Sequence, residues 1–223
     1  MKEKPMLFIG PMVRATLEDR KNQTRRVMKN QPPFPWKTEI HGDSLFVLDG
    51  GWKKFCKVPH PAGSRIWVKE TWATASSDAG PCVCYRADCG RIYVDEHFGF
   101  QKVYHDSSSK HLWANWARDL ESGVEGKWRP SIFMPRWASR INLEVTEVRV
   151  ERLQEITRKD AEAEGVCTDD YFDRLEHAES CAPPGSILPS PRSEYQRLWN
   201  QINGPGSWDQ NPWVWVYTFR RVK

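Results

Sequence analysis

The chain has 223 residues, a formal net charge of +4 and a pI near 8.7. That length can bury a real core in one domain, or in one domain with a large insertion, and the mildly basic balance permits a nucleic-acid or nucleotide partner without requiring one. A mean hydropathy of −0.70, with no apolar run of transmembrane length, excludes a membrane-spanning helix. The N-terminal Met1-Lys2-Glu3-Lys4-Pro5 lacks the apolar core of a signal peptide, so a cytoplasmic protein is expected. Most of the 12 tryptophans are expected in the core, with a minority able to stack on a base.

Met6 to Ile9 reads as a short apolar strand. Gly10-Pro11 then opens a helix predicted over about residues 10–20, with proline at a first-turn position where its missing N–H costs little. Met12, Val13, Leu17 and Ala15 form its expected buried stripe. The basic run Asp19-Arg20-Lys21-Asn22-Gln23-Thr24-Arg25-Arg26 closes this element. On one helical turn Lys21 and Thr24 are i,i+3 neighbours sharing a face. An amine beside a hydroxyl is a base–nucleophile pair, and the flanking arginines suit an anionic or base-edge ligand. The same run also fits a solvated basic helix end.

Gln31-Pro32-Pro33-Phe34-Pro35 starts an irregular stretch. Leu45–Leu48 and Phe55–Val58 read as strands around the turn Asp49-Gly50-Gly51. Gly63 to Trp72 is a stronger strand, in which Ile66 and Val68 alternate with Trp67 and Lys69. From Ala73 onward the pattern weakens, and an insertion is predicted over about residues 73–130. It is expected to carry a hairpin around Asp88-Cys89-Gly90 and a helix from Ser109 to Leu120, and to serve as a structural flap or as a lid or specificity element. Cys82-x-Cys84-x4-Cys89 is the only cysteine cluster. Its spacing is wrong for zinc and a fourth ligand is missing, so no metal site is predicted. Cys56, Cys167 and Cys181 read as isolated thiols.

Ser139 to Leu153 is the clearest strand, with a phase shift at Thr146-Glu147 that suggests a bulge or bend. Thr157 with Asp160 forms an approximate capping box for a helix over 158–164, ended by Gly165. Ala182 to Pro191 is a loop. Ser193 is expected to cap a helix near 193–202. Trp213 to Phe219 has two apolar faces and reads as a central strand.

Lys21-Asn22-Gln23-Thr24-Arg25-Arg26, following Leu7 to Asp19, resembles the signature of the ASCH family, whose usual form is Gly-x-Lys-x-x-Glu-x-Arg. Lys21 and Arg26 match. Asp19 replaces the glycine and Thr24 the glutamate, and the threonine variant is the one found in bacterial N4-acetylcytidine amidohydrolases. Trp128 to Trp137 and Asn203 to Trp208 resemble segments of larger ASCH proteins of phages and prophages. The resemblance implies an α+β fold: a small mixed PUA-like β-barrel with flanking helices, one domain over 1–223, and the long insertion that small ASCH domains lack. It implies a hydrolase removing an acyl group from the exocyclic nitrogen of N4-acylated cytidine or a related modified nucleoside. Lys21, Thr24 and a distant glutamate would be catalytic. The segment 155–165 resembles the one carrying that carboxylate, which maps to Glu164, with Glu162 and Glu70 as the other candidates. Arg20, Arg25, Arg26, Trp72 and Trp208 would bind the substrate. No cofactor, metal or membrane is implied. Two alternatives stay open: a PUA-like RNA-binding module without chemistry, and a ribonuclease using the same lysine.

Overall fold

The structure, a computed structural model, describes residues 3–31, 37–48, 51–77, 80–93, 107–181 and 188–222. The expected proline stretch at 32–35, the turn at 49–50, the loop at 182–187 and part of the expected insertion, 94–106, lie outside the described residues. The chain is mixed α and β, with several sheets and five α-helices among the described residues. The strands are β1 (Lys4–Leu7), β2 (Gln23–Val27), β3 (Thr38–His41), β4 (Ser44–Leu48), β5 (Trp52–Lys57), β6 (Arg65–Lys69), β7 (Trp72–Ser77), β8 (Gly80–Tyr85), β9 (Arg91–Tyr93), β10 (Asn142–Arg152) and β11 (Trp213–Val222). The helices are α1 (Gly10–Leu17), α2 (Ser107–Glu121), α3 (Arg158–Ala163), α4 (Asp169–Cys181) and α5 (Pro191–Asn203). The chain divides into two compact units, one mainly of residues 15–65 and 143–222, the other mainly of 3–14 and 66–142.

In the first unit α1 ends earlier than the basic run led us to expect. Asp19 adopts a positive φ of 56°, and the N–H groups of Arg20 and Lys21 both donate to the Ala15 carbonyl at 2.9 Å. Aspartate enters this left-handed region more readily than most residues. The turn sends the chain into β2, so Thr24 is a strand residue and does not share a helical turn with Lys21. β10, β11 and β2 lie side by side in that order, and β11 runs antiparallel to β2 with Tyr217 opposite Thr24 and Trp215 opposite Arg26. Strand alternation then gives β11 two roles. Val214 and Val216 join Leu153, Ile156, Ala161, Val166, Tyr195, Trp199 and Trp208 in the core. Trp215 and Tyr217 point to the opposite face. β3, β4 and β5 form a separate antiparallel sheet.

Thr157 caps α3 as its sequence predicts. Its side chain accepts from the Asp160 N–H, and the Asp160 carboxylate accepts from the Thr157 N–H. The helix stops at Glu164, and Gly165 follows with a φ of 79°. A Cβ there would lie 2.7 Å from the Ala15 Cβ and 3.0 Å from the Lys21 Cβ. Gly165→Ala is therefore expected to lose roughly 1–3 kcal/mol from backbone strain alone, and to push Lys21 out of place. A urea midpoint equal to that of wild type would contradict this. The cap of α5 is Ser190, with Pro191 behind it, rather than the expected Ser193. Proline sits best just inside a helix start, which moves the boundary back. Helix α4 had no sequence forecast. Its residues are largely polar, and no apolar stripe marks it.

In the second unit β1 pairs parallel with β6, and β7–β8–β9 form an antiparallel sheet. The expected hairpin is the β8–β9 connection, where Cys89 takes a φ of 57°. The expected helix appears as α2. Trp72, Val83, Tyr85, Leu112, Met134 and Ala138 form the core of this unit. The unit is wider than the expected 73–130 insertion, because β1 and β6 belong to it.

Candidate functional site

The first unit buries an unusual set of charges. The turn at Asp19 delivers Lys21 beside the end of α3, where the Asn22 N–H donates to the Ala163 carbonyl at 3.0 Å. Lys21 Nζ donates to Glu164 Oε2 at 2.6 Å, to the Gln23 carbonyl at 2.6 Å and to the Glu164 carbonyl at 3.0 Å. The side chains of Lys21 and Glu164 are both fully buried. Burial depresses the Lys21 pKa below the ordinary lysine value, and this outweighs the opposing pull of Glu164.

Arg25 holds the other carboxylate oxygen, donating from Nη1 to Glu164 Oε1 at 3.2 Å. It also donates to Glu151 Oε1 at 2.7 and 2.9 Å and to Gln23 Oε1 at 3.0 Å. Asp160 Oδ2 lies 3.6 Å from its guanidinium. Arg149 completes the ring, reaching Glu151 Oε2 at 3.1 Å and Asp160 Oδ1 at 2.7 Å. Arg25 is thus a buried brace that fixes Glu164, not a ligand-facing cation.

This network sets a pH dependence. Burial works against ionised Asp160, but the Thr157 hydroxyl, Arg149 and Arg25 outweigh it and hold the pKa at about 2. The unfolded value is near 3.9. Between these values the unfolded chain binds more protons, so the stability Asp160 contributes is complete above about pH 4 and is lost as pH falls toward 2. Urea midpoints measured from pH 5 down to pH 2 should fall less steeply for Asp160→Asn than for wild type. Parallel acid branches would show that Asp160 is not so held.

Thr24 is fully buried, and its hydroxyl has no hydrogen-bond partner among the described residues. It lies on the face of β2 opposite to Gln23 and Arg25, together with Arg26. Arg26 is half-buried and lines a cavity of about 420 Å³ with Met28, Lys29, Cys56, Lys57, His60, Trp215 and Tyr217 among its walls. Burial lowers the Arg26 pKa, offset in part by Glu164, Tyr195 and Tyr217. Arg26 therefore feels the Glu164 carboxylate while bordering the cavity. His60 meets the Tyr217 ring edge-on at 5.4 Å.

The remaining site candidates sit elsewhere. Arg20 is exposed and is held by Glu18 and by the Cys167 carbonyl at 3.2 Å. Trp208 is packed in the core against Tyr195. Trp72 is buried in the second unit, edge-on to Trp137 and beneath Arg129. Both rings serve as core, and neither offers a free face for a base. Glu162 is a surface residue paired with Arg158 at 3.1 Å. Glu70 is held by both nitrogens of the Arg140 fork at 2.9 Å. Of the three glutamates, Glu164 is the one in contact with Lys21. Sequence reasoning missed Glu151, although Arg149 and Glu151 stand two apart on β10 and so share a face. It also missed the cavity walls His60, Trp215 and Tyr217, which come from separate elements with no local motif.

Cys82 Sγ lies 3.8 Å from Cys84 Sγ, and burial pushes the Cys82 thiol up to about 11. Among the described residues no three His, Cys, Asp or Glu side chains are grouped to hold a metal ion, and no helix is long and apolar enough to cross a membrane. In comparison with known proteins, no family model, no curated protein and no solved structure matches this chain.

Proposed function

We propose that this chain is a hydrolase that removes an acyl group from the exocyclic nitrogen of N4-acylated cytidine or a related modified nucleoside, on a PUA-like barrel of the ASCH kind. The observation that carries this reading is the buried Lys21–Glu164 pair, two residues 143 apart in sequence that close to 2.6 Å. They are the lysine and the distant glutamate that the ASCH resemblance singles out.

The chemistry balances on this pair. Burial, which lowers the Lys21 pKa, favours release of its proton, and in the cycle that proton passes to the Glu164 carboxylate. The amine takes the proton of the attacking hydroxyl, either of Thr24 or of a water that Thr24 orients. The oxygen bonds to the acyl carbon, and Arg26 offers charge to the oxyanion. Glu164 gives its proton to the departing cytosine nitrogen, which restores the ion pair. Where Thr24 itself carries the acyl group, a water repeats the cycle to release the acid. At rest Lys21 is held by Glu164 rather than by Thr24, so the transfer that neutralises the pair also frees the amine.

The test is incubation with N4-acetylcytidine, with products identified by mass, and separately with RNA. Cytidine and acetate are the expected products. No hydrolysis, with salt-sensitive RNA binding, would favour the binding module. RNA cleavage would favour the ribonuclease.

A further inference from the structure

The β7–β8–β9 sheet turns one face to the core and carries two thiols on the other. Trp72, Val83 and Tyr85 enter the core. Strand alternation then places Cys82 and Cys84 together on the opposite face, with their sulfurs in contact at 3.8 Å. Residues paired across the sheet share that face: Ala75 and Ala73 on β7, Tyr93 and Arg91 on β9. The two alanines are small and leave room beside the sulfurs. Cys82 is fully buried, whereas Cys84 is half-buried and gives a route in from solvent.

Two thiols in contact can close a disulfide or hold a soft ion. The strand disfavours the first. Two residues of extended chain set the Cα atoms about 6.6 Å apart, at the far end of the disulfide range, and β8 is held on both sides by β7 and β9. A bridging ion asks less of the backbone. With metal–sulfur bonds of about 2.3 Å, sulfurs 3.8 Å apart subtend about 110° at the ion. A small χ1 rotation of the half-buried Cys84 opens that angle toward the linear geometry of two-coordinate Cu(I). The ligand count chooses the ion. Structural zinc takes four ligands, and no third His, Cys, Asp or Glu joins the pair among the described residues. Thiolates select Cu(I) among soft ions, and two of them satisfy it.

We propose that Cys82 and Cys84 hold one Cu(I) ion as a dithiolate, with Arg91 balancing its charge. Two S–H bonds break, two Cu–S bonds form and two protons leave to solvent, and copper keeps its oxidation state. The complex carries one net negative charge, and the guanidinium opposite Cys84 offsets it. The site lies in the second unit and is independent of the hydrolase reading.

The test is anaerobic titration of the whole reduced chain with Cu(I), in competition with a chromophoric Cu(I) chelator. One equivalent should pass to the chain, with an ultraviolet sulfur-to-copper charge-transfer band. Cys84→Ala should abolish the transfer, while Cys89→Ala and Cys181→Ala, at exposed thiols, should leave it unchanged. Arg91→Ala, at an exposed position, should weaken retention roughly tenfold with the band intact, the size of loss seen when an outer partner of a metal site is removed. A second measurement needs no variant. Cu(I) should protect Cys84 of the wild-type chain from iodoacetamide, read by peptide mass, while Cys89 and Cys181 stay reactive. No transfer of copper, transfer that survives Cys84→Ala, loss in Cys89→Ala, or unprotected Cys84 would each overturn the proposal. Zn(II) held as tightly as Cu(I) would overturn the choice of ion.

Discussion

Glu164→Ala is expected to destabilise the first unit by about 3–5 kcal/mol near neutral pH, the size seen when one partner of a buried ion pair is removed. The carboxylate takes Lys21 on one oxygen and Arg25 on the other. The two cations do not lose equally. Arg25 keeps Glu151 and stays paired. Lys21 keeps the backbone carbonyls of Gln23 and Glu164, which carry no counter-charge, and has a second route open to it, which is to deprotonate. Its pKa, already below the ordinary value in the intact protein, falls further once its counter-charge is gone. The sign follows from proton counts. The unfolded lysine titrates near 10.4. Below that value the unfolded variant binds more protons than the folded one, so the stability of the variant rises with pH. The deficit against wild type should therefore shrink between about pH 7 and pH 10. Urea melts at the two pH values test this. A constant deficit would mean that Lys21 stays charged without Glu164. Glu164→Gln keeps an acceptor for Nζ and should lose less stability while losing turnover, so it is the better probe of chemistry.

Thr24→Val should separate fold from function in the opposite direction. The Thr24 hydroxyl is buried without a hydrogen-bond partner among the described residues, and such a group carries a desolvation penalty of roughly 1–3 kcal/mol. Valine has nearly the same shape, so the variant should be as stable as wild type or more so. Hydrolysis of N4-acetylcytidine should fall by about 10²-fold or more if that hydroxyl attacks or orients the attacking water. Removing Lys21 as well should add little, because groups that act as a unit give losses that do not sum. A stable valine variant with full turnover would remove Thr24 from the mechanism. A large loss of stability would show that the hydroxyl has a structural partner after all. Lys21→Arg does not separate the hydrolase from the binding module. At a fully buried position the longer side chain is overpacked whatever the function.

Much of the local architecture is legible from residue patterns alone. Two apolar faces mark β11 as a central strand. Thr157 and Asp160 announce α3, and Gly165 announces its end, because each is a short-range device whose partners lie within four residues. Gly10-Pro11 sets the start of α1 for the same reason. The basic run at 19–26 exposes the limit of such reading. Its spacing fits a helix, but one aspartate in a left-handed turn converts the second half to strand and moves Thr24 to a different face from Gln23 and Arg25. Charge patterns on β2 look like solvent-facing surface. Only the tertiary structure reveals that Arg25 and Lys21 are buried, because the carboxylates that make burial tolerable come from β10 and from the end of α3. The sequence by itself determined the start of α1, the cap and end of α3, the central-strand character of β11 and the candidate chemistry of Lys21, Thr24 and Glu164. The tertiary structure decided which glutamate meets the lysine, that Arg25 braces it, and that a cation-rimmed aromatic cavity borders Arg26. Each of these is a contact between side chains more than a hundred residues apart or on separate elements, where no local pattern carries the signal.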